Sequence, residues 1–439
     1  MKRFIQTFKN IFSIEDLRVR IFNTLGFLLI FRLGSYVVLP GINPLELNTT
    51  QKDGLLGLLD TFLGGAFSNA SIFALGIMPY ISASIIIQLV TVAFPYFQKM
   101  QKEGDSGRKK LNQWTRVLTI LITIGQSIGY ISATIPNEAL LIDRSLVTLS
   151  SVFLLTAGTM FCMWLGEKIT DKGIGNGISM LIMIGIISRF PFAIKNEFTR
   201  TMSSPMFFVI EIAALFFVIM AVVMLTQAVR RIPVQYAKQV VGNKVYGGQR
   251  QYIPIKLNTA GVMPIIFAQS ILFLPSMIGK FFMEDSTFAT AVVAAYSEPN
   301  SWQYNLTSAI LIIVFTFFYT AISVNPNQIA EDMKRNNGFI PAVKPGPQTA
   351  EFIDDVVSKI TLPGAIFLSL IAILPAIVSM FDVSRDFALF YGGTSLLIMV
   401  GVVLDTLQQV ESYLLMKHYE GLMKSGRVRG RTGVAEDEL

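Results

Sequence analysis

The chain has 439 residues, of which 52% are hydrophobic and only 15% charged. A soluble domain carries roughly 25% charged residues, so this balance excludes an ordinary soluble protein. The net charge of +7 alone would suit a nucleic-acid binder, but apolar runs of bilayer length recur from end to end, so the placement of the charges matters more than their sum.

In chain order, Met1-Lys2-Arg3-Phe4 opens a segment (residues 1–18) without a signal-peptide cleavage pattern. It is expected to stay in the cytosol as an amphipathic helix on the membrane surface. The first predicted span covers about 19–40. A long apolar stretch, about 55–97, is interrupted by Gly64-Gly65 and Asn69. It divides into a half-helix at about 55–68, too short to cross, and a true span at about 72–94. Further spans are predicted at about 115–135, 146–165, 174–194, 205–226, 257–278, 306–324, 362–381 and 388–410. The fold class is thus an all-α polytopic membrane protein with ten transmembrane helices. Five fall in an N-terminal half (19–200) and five in a C-terminal half (201–410), followed by a tail (411–439). Because five is odd, the halves enter from opposite sides, the condition for an inverted repeat. Non-helical backbone at membrane depth is tolerated only inside protein or beside a water-filled cavity. The re-entrant half-helix therefore implies a cavity, which it either caps or plugs.

Of the 36 Lys and Arg residues, 28 fall in alternate segments beginning with the N-terminus, seven in the opposite ones, and Arg32 lies inside a span. Positive charge marks the cytosolic side, so both termini are placed inside. Two long cytosolic loops follow, 227–256 and 325–361. The first carries Arg230, Arg231, Lys238, Lys244, Arg250 and Lys256 and no acid. It reads either as a solvated basic loop or as a docking surface for an RNA-rich or acidic partner.

Catalytic chemistry has little to stand on. One cysteine, Cys162, and one histidine, His418, leave no Cys/His metal cluster, and Cys162 in its apolar setting reads as a small buried hydrophobe. Gly173-Ile174-Gly175-Asn176-Gly177 opens a span instead of following a strand, so it reads as a close-packed or flexible helix start, not a phosphate loop. No enzyme activity and no cofactor are predicted. Span interiors hold few charges: Glu211 near one outer end, Asp405, Glu167 and Lys168 toward inner ends, and Arg32 deepest, expected to snorkel or to bond neighbouring carbonyls. This disfavours an ion-coupled symporter, although a secondary transporter for a small solute, built as a five-plus-five repeat with a Ser, Asn and backbone site, stays open.

The run Ala70-Ser71-Ile72-Phe73-Ala74-Leu75-Gly76-Ile77-Met78-Pro79-Tyr80-Ile81-Ser82-Ala83-Ser84 resembles the SecY family, the channel subunits of the bacterial protein translocase. Glu103-Gly104-Asp105-Ser106-Gly107-Arg108, Met163-Trp164-Leu165-Gly166-Glu167, Gly173-Ile174-Gly175-Asn176-Gly177-Ile178-Ser179, Arg230-Arg231-Ile232-Pro233-Val234-Gln235-Tyr236, Pro345-Gly346-Pro347-Gln348-Thr349 and Gly392-Gly393-Thr394-Ser395 extend the resemblance along the whole chain. It implies a clamshell of two five-helix halves around an hourglass pore in the bacterial plasma (inner) membrane. The constriction would be an apolar ring of Ile77, Ile81, Ile178, Ile182, Ile266 and Ile398, narrow enough to dewet yet able to adapt around a passing chain. The half-helix would be the plug, with Leu59, Phe62, Gly64, Gly65 and Phe67. Ser82, Gln88 and Gln126 would lie in the lateral gate that opens to lipid. Arg230, Arg231, Lys238, Lys244, Arg250 and Lys344 would dock a SecA-like motor ATPase or the ribosome. Implied partners also include SecE-like and SecG-like small membrane subunits, preproteins with their signal sequences, and membrane lipid. The family usually has arginine where this chain has Lys344, which keeps the charge but loses the bidentate fork.

Overall fold

A computed structural model describes residues 12–44, 46–47, 60, 63–236, 239–241, 244–246, 250–269, 271–272, 295–296, 298 and 301–424. The predictions for 1–11, for most of the half-helix (55–59, 61 and 62, including Leu59 and Phe62), for Lys238, for the end of the seventh span and for 425–439 lie outside the described residues.

The helices are α1 Glu15–Gly34, α2 Met78–Ala93, α3 Pro95–Lys102, α4 Asp105–Thr134, α5 Arg144–Lys172, α6 Gly177–Arg200, α7 Pro205–Gln227, α8 Trp302–Ser323, α9 Pro326–Arg335, α10 Pro347–Ser379, α11 Arg385–Ala388 and α12 Gly393–Lys424. Among the described residues, nine of these are long and fall on nine of the ten predicted spans; the seventh span is helical at 263–269 and 271–272. Six helices are apolar enough to cross a bilayer on length and composition alone, and α2 with α3, bent by 106°, makes a seventh. Local sequence sets the starts. Proline, which needs no N–H partner in a first turn, opens α3, α7, α9 and α10. Ser301 and Asn325 cap α8 and α9 by accepting from Tyr304 N and Gln328 N.

The described residues form two compact units: one holds those up to Ser188 together with Val402 onward, the other those from Arg189 to Gly401. In the first, α1 packs on α5, α2 on α4, and α4 on α5. The buried edge of α4 is a stripe of small polar residues, Thr115, Thr119, Thr123 and Ser127. The first three return their hydroxyls to the carbonyl four residues back, so these small side chains let helices approach with their own polar groups satisfied. The start of α6 is closely packed. Ile174 N donates to Thr24 Oγ1, Gly175 N to Gln409 Oε1 and Gly177 N to Thr170 Oγ1. Asn176 caps the helix by accepting from Ile178 N and Ser179 N. A Cβ on Gly177 would lie 2.0 Å from the Gly166 carbonyl oxygen. We therefore expect Gly177→Ala to overpack this junction at a cost of about 3 kcal/mol, read as a lower yield of folded protein in detergent; a wild-type yield would refute the close packing.

In the second unit α8 and α9 pack on α10, and the loops expected at 227–256 and 325–361 hold a sheet. Strand β1 (Val229–Tyr236) lies between β4 (Arg250–Lys256) and β5 (Gly338–Phe339), antiparallel to both; β2 (Gln239–Val241) and β3 (Lys244–Tyr246) pair separately. The cause is a period-two pattern. Ile232 and Val234 alternate with Arg231 and Pro233, and with Ile255 they bury one face against Met333, Ile340, Ile353 and Val357. Helix α7 is apolar around nearly its whole surface apart from Glu211, with Met206, Phe207, Val209, Phe216, Phe217 and Met224 exposed, a pattern that suits lipid and not water.

Candidate pore, plug and docking surface

Four of the six ring isoleucines belong to the first unit and two to the second. Ile77 caps α2, and Ile81 N donates to its carbonyl at 3.0 Å, so both side chains share one helix face. Ile178 and Ile182 share a face of α6 in the same way. Ile77, Ile81 and Ile398 are buried, whereas Ile178, Ile182 and Ile266 are half-buried.

Within the plug prediction, Gly64, Gly65 and Phe67 fall in a turn-rich stretch, 63–70. Gly64 and Gly65 have φ of +63° and +95°, conformations glycine adopts at no steric cost. Arg32 does not reach for solvent: its Nη1 donates to the Gly64 carbonyl at 2.7 Å and its Nη2 to the Tyr36 hydroxyl at 2.9 Å. The stretch is followed by main-chain bonds from Leu39 N to Ala70 O and from Ile72 N to Val37 O, which tie it to the loop after α1.

Two of the predicted gate residues bond within their own helix. Ser82 Oγ donates to Met78 O at 3.2 Å, Gln88 Nε2 donates to Ser84 Oγ at 3.3 Å, and Gln126 is half-buried on α4. In the N-terminal part of α4 Arg116 Nη2 reaches both Glu167 carboxylate oxygens at 2.8 Å, pinning α4 to α5. Lys168 lies 5.9 Å from the Trp164 ring centroid.

On the sheet, Arg230 and Arg231 are both exposed but, as neighbours on a strand, point to opposite faces. Arg231 lies opposite Pro254, and Pro233 opposite Tyr252. Lys244 and Arg250 lie on β3 and β4. Lys344 is exposed before the first turn of α10, where its carbonyl accepts from Thr349 Oγ1 at 2.9 Å.

A family model described as SecY matches residues 71–407. A protein translocase subunit SecY from Streptomyces galbus is 40% identical, with 96% of this chain and 100% of the relative aligned. One from Vibrio cholerae is 42% identical, with 95% and 96% aligned. The chain belongs to the SecY family. The fold agrees: a solved protein-conducting channel superposes with a TM-score of 0.62 at 15% identity over 90% of this chain and 92% of its own. Sec61 from a canine ribosome–channel complex of the endoplasmic reticulum gives 0.61 over the same shares. The chain is accordingly a polytopic membrane protein with the SecY fold.

One constellation in this SecY chain escaped the sequence reading. Glu197, near the end of α6, is fully buried. It accepts from Arg200 Nε at 2.8 Å and from Arg200 Nη2, and its other oxygen accepts from Ser384 N at 3.0 Å. Arg200 also pairs with Glu211 of α7 at 3.1 Å, and the Tyr391 hydroxyl donates to the Glu211 carbonyl at 2.5 Å. In the sequence Glu197 and Arg200 pass for a solvated helix end. Their i,i+3 spacing was the one available signal; Ser384 and Tyr391 lie too far along the chain to be linked to them by pattern.

Proposed function

We propose that this chain is the central pore-forming subunit of the general secretory translocon. It passes unfolded preproteins across the membrane and releases transmembrane segments sideways into lipid. The observation that carries this is near-full-length identity of about two residues in five to translocase subunits, on a chain whose fold matches a protein-conducting channel. A solute-transporter reading has no comparable support. The channel is passive, so the driving force comes from a SecA-like motor, the ribosome or the membrane potential. Its membrane is the bacterial plasma membrane, with both termini cytoplasmic, and it works with SecE-like and SecG-like subunits.

In this reading 19–200 and 201–410 are the two halves. Ile77, Ile81, Ile178, Ile182, Ile266 and Ile398 form the ring, a seal that excludes ions by its reluctance to wet. The 55–68 segment is the plug, and Ser82, Gln88 and Gln126 belong to the lateral gate. The test is a crosslink. A photoreactive residue at Ile81, Ile182, Ile266 or Ile398 is combined with a preprotein halted midway by a folded C-terminal domain. Adducts at these positions, and none at exposed Leu121 on α4, are expected. Their absence with the preprotein engaged would overturn the pore assignment.

The basic sheet docks the motor or the ribosome. Reversing Arg231 to Glu should weaken that binding by about tenfold at low salt, with the deficit shrinking as salt rises. Arg230→Glu acts on the opposite face, so the two variants report which face is used. Unchanged affinity and salt dependence in both would remove the sheet from the docking surface.

A further inference from the structure

We propose that Arg32 and Tyr130 are a latch for the plug: donors from α1 and α4 that hold its C-terminal turn, 63–70, by two main-chain carbonyls. The proposal rests on the plug reading above. Arg32 Nη1 donates to Gly64 O at 2.7 Å and Tyr130 Oη to Phe67 O at 2.7 Å. Each donor is aimed by its surroundings. The Arg32 guanidinium lies 4.8 Å from the Tyr36 ring centroid and bonds the Tyr36 hydroxyl. The buried Tyr130 ring meets Phe67 edge-on at 4.7 Å.

The held segment is itself closed into one piece. Asp60 accepts from Ser68 N at 2.9 Å and from Ser68 Oγ at 3.0 Å, and Gly65 N donates to the Asp60 carbonyl at 3.1 Å. A force on either carbonyl therefore moves the whole turn. It is also seated without slack: a Cβ on Gly64 would lie 2.9 Å from Arg32 Nη1, 2.7 Å from Ser188 Oγ and 2.9 Å from Gly185 Cα. Leu63, Ala66 and Phe67 are buried, but apolar contact is non-directional and tolerates sliding. The two hydrogen bonds are directional, and release strands a buried hydroxyl and a buried carbonyl until water or another group reaches them. Because both acceptors are backbone, neither bond needs a polar side chain from the plug. The latch also gives the cation in the last turn of α1 two fixed partners.

The test uses the full chain in its native membrane complex, with two readouts: resting ion conductance in planar bilayers, and export of a preprotein whose signal sequence is defective. Tyr130→Phe removes the donor and keeps the ring, while Arg32→Met removes charge and donor and Arg32→Lys restores one donor. Tyr130→Phe and Arg32→Met should each raise both readouts by about five- to tenfold, the effect of one buried hydrogen bond on a closed–open equilibrium. Arg32→Lys should fall back toward wild type. Deletion of 60–68 is the control. If the deletion leaks and Tyr130→Phe does not, the latch is overturned and the plug reading survives. If the deletion is also silent, both fall. A variant that only lowers the amount of assembled complex, with unchanged conductance per channel, counts against the latch as well.

Discussion

Replacing Glu197 with leucine should destabilise the protein by about 3 kcal/mol. The carboxylate is fully buried and holds three bonds, two from Arg200 and one from the Ser384 main chain. Removing it leaves Ser384 N without its acceptor and Arg200 with Glu211 as its remaining carboxylate. Breaking one side of a buried pair costs about 3–5 kcal/mol because the surviving charge keeps its desolvation penalty. Here the Arg200 side chain is 37% exposed, so water screens part of the loss and the lower end of that range applies. Glu197→Gln keeps a single acceptor oxygen, which can serve Ser384 N or Arg200 but not both, and should cost about 2 kcal/mol. The measurement is the thermal unfolding midpoint of the purified chain in detergent. A midpoint for Glu197→Leu within error of wild type would mean that the cluster adds no net stability and does not tie α6 to α7 and the segment at Ser384.

The contrast between that cluster and the rest of the chain shows what a linear pattern can carry. Spans were legible because a bilayer demands length and apolarity locally: Pro205–Gln227 has no competing pattern and was placed within a residue or so. Arg32 was legible as a problem, a cation at depth, and bonding to a carbonyl was one of its two expected solutions. The identity of that carbonyl, 32 residues on, was not legible, since nothing local links Arg32 to Gly64. The sheet at Val229–Lys256 was missed for a different reason. Its alternation is confined to a few residues, Arg231 to Val234, between prolines and charges that read as loop, and its buried face is completed by α9 and α10 from a hundred residues away. Treating Arg230 and Arg231 as one patch follows from reading a strand as a loop. The ring isoleucines are the opposite case. Isoleucine in a span is uninformative by type, so their roles came only from motif position, and burial alone does not separate Ile81 from any other packed isoleucine.

The ring therefore needs a functional readout. With Ile81 and Ile182 both replaced by glycine, the resting channel should conduct ions about tenfold more than wild type. An apolar constriction blocks ions by staying dry, and each isoleucine side chain removed withdraws apolar surface worth about 1.5–3 kcal/mol of aversion to water. Losing about 1.4 kcal/mol from the wetting barrier is already a factor of ten. The substitution has a second cost that must be kept apart from the first. Ile81 is buried in the first turns of α2, so glycine there loses packing and helix propensity, together about 3 kcal/mol or more. Ile81→Val and Ile182→Val separate the two effects, since valine keeps most of the apolar collar and the helix and should stay tight. Leu121→Gly on the exposed side of α4 pays the same glycine penalty away from the ring and should leave resting conductance unchanged. A leak in the double glycine variant, with the valine and Leu121 variants tight, locates the seal at these side chains. Equal conductance in all of them, at equal levels of assembled channel, would place the barrier elsewhere and leave the motif position of the two isoleucines without its proposed role.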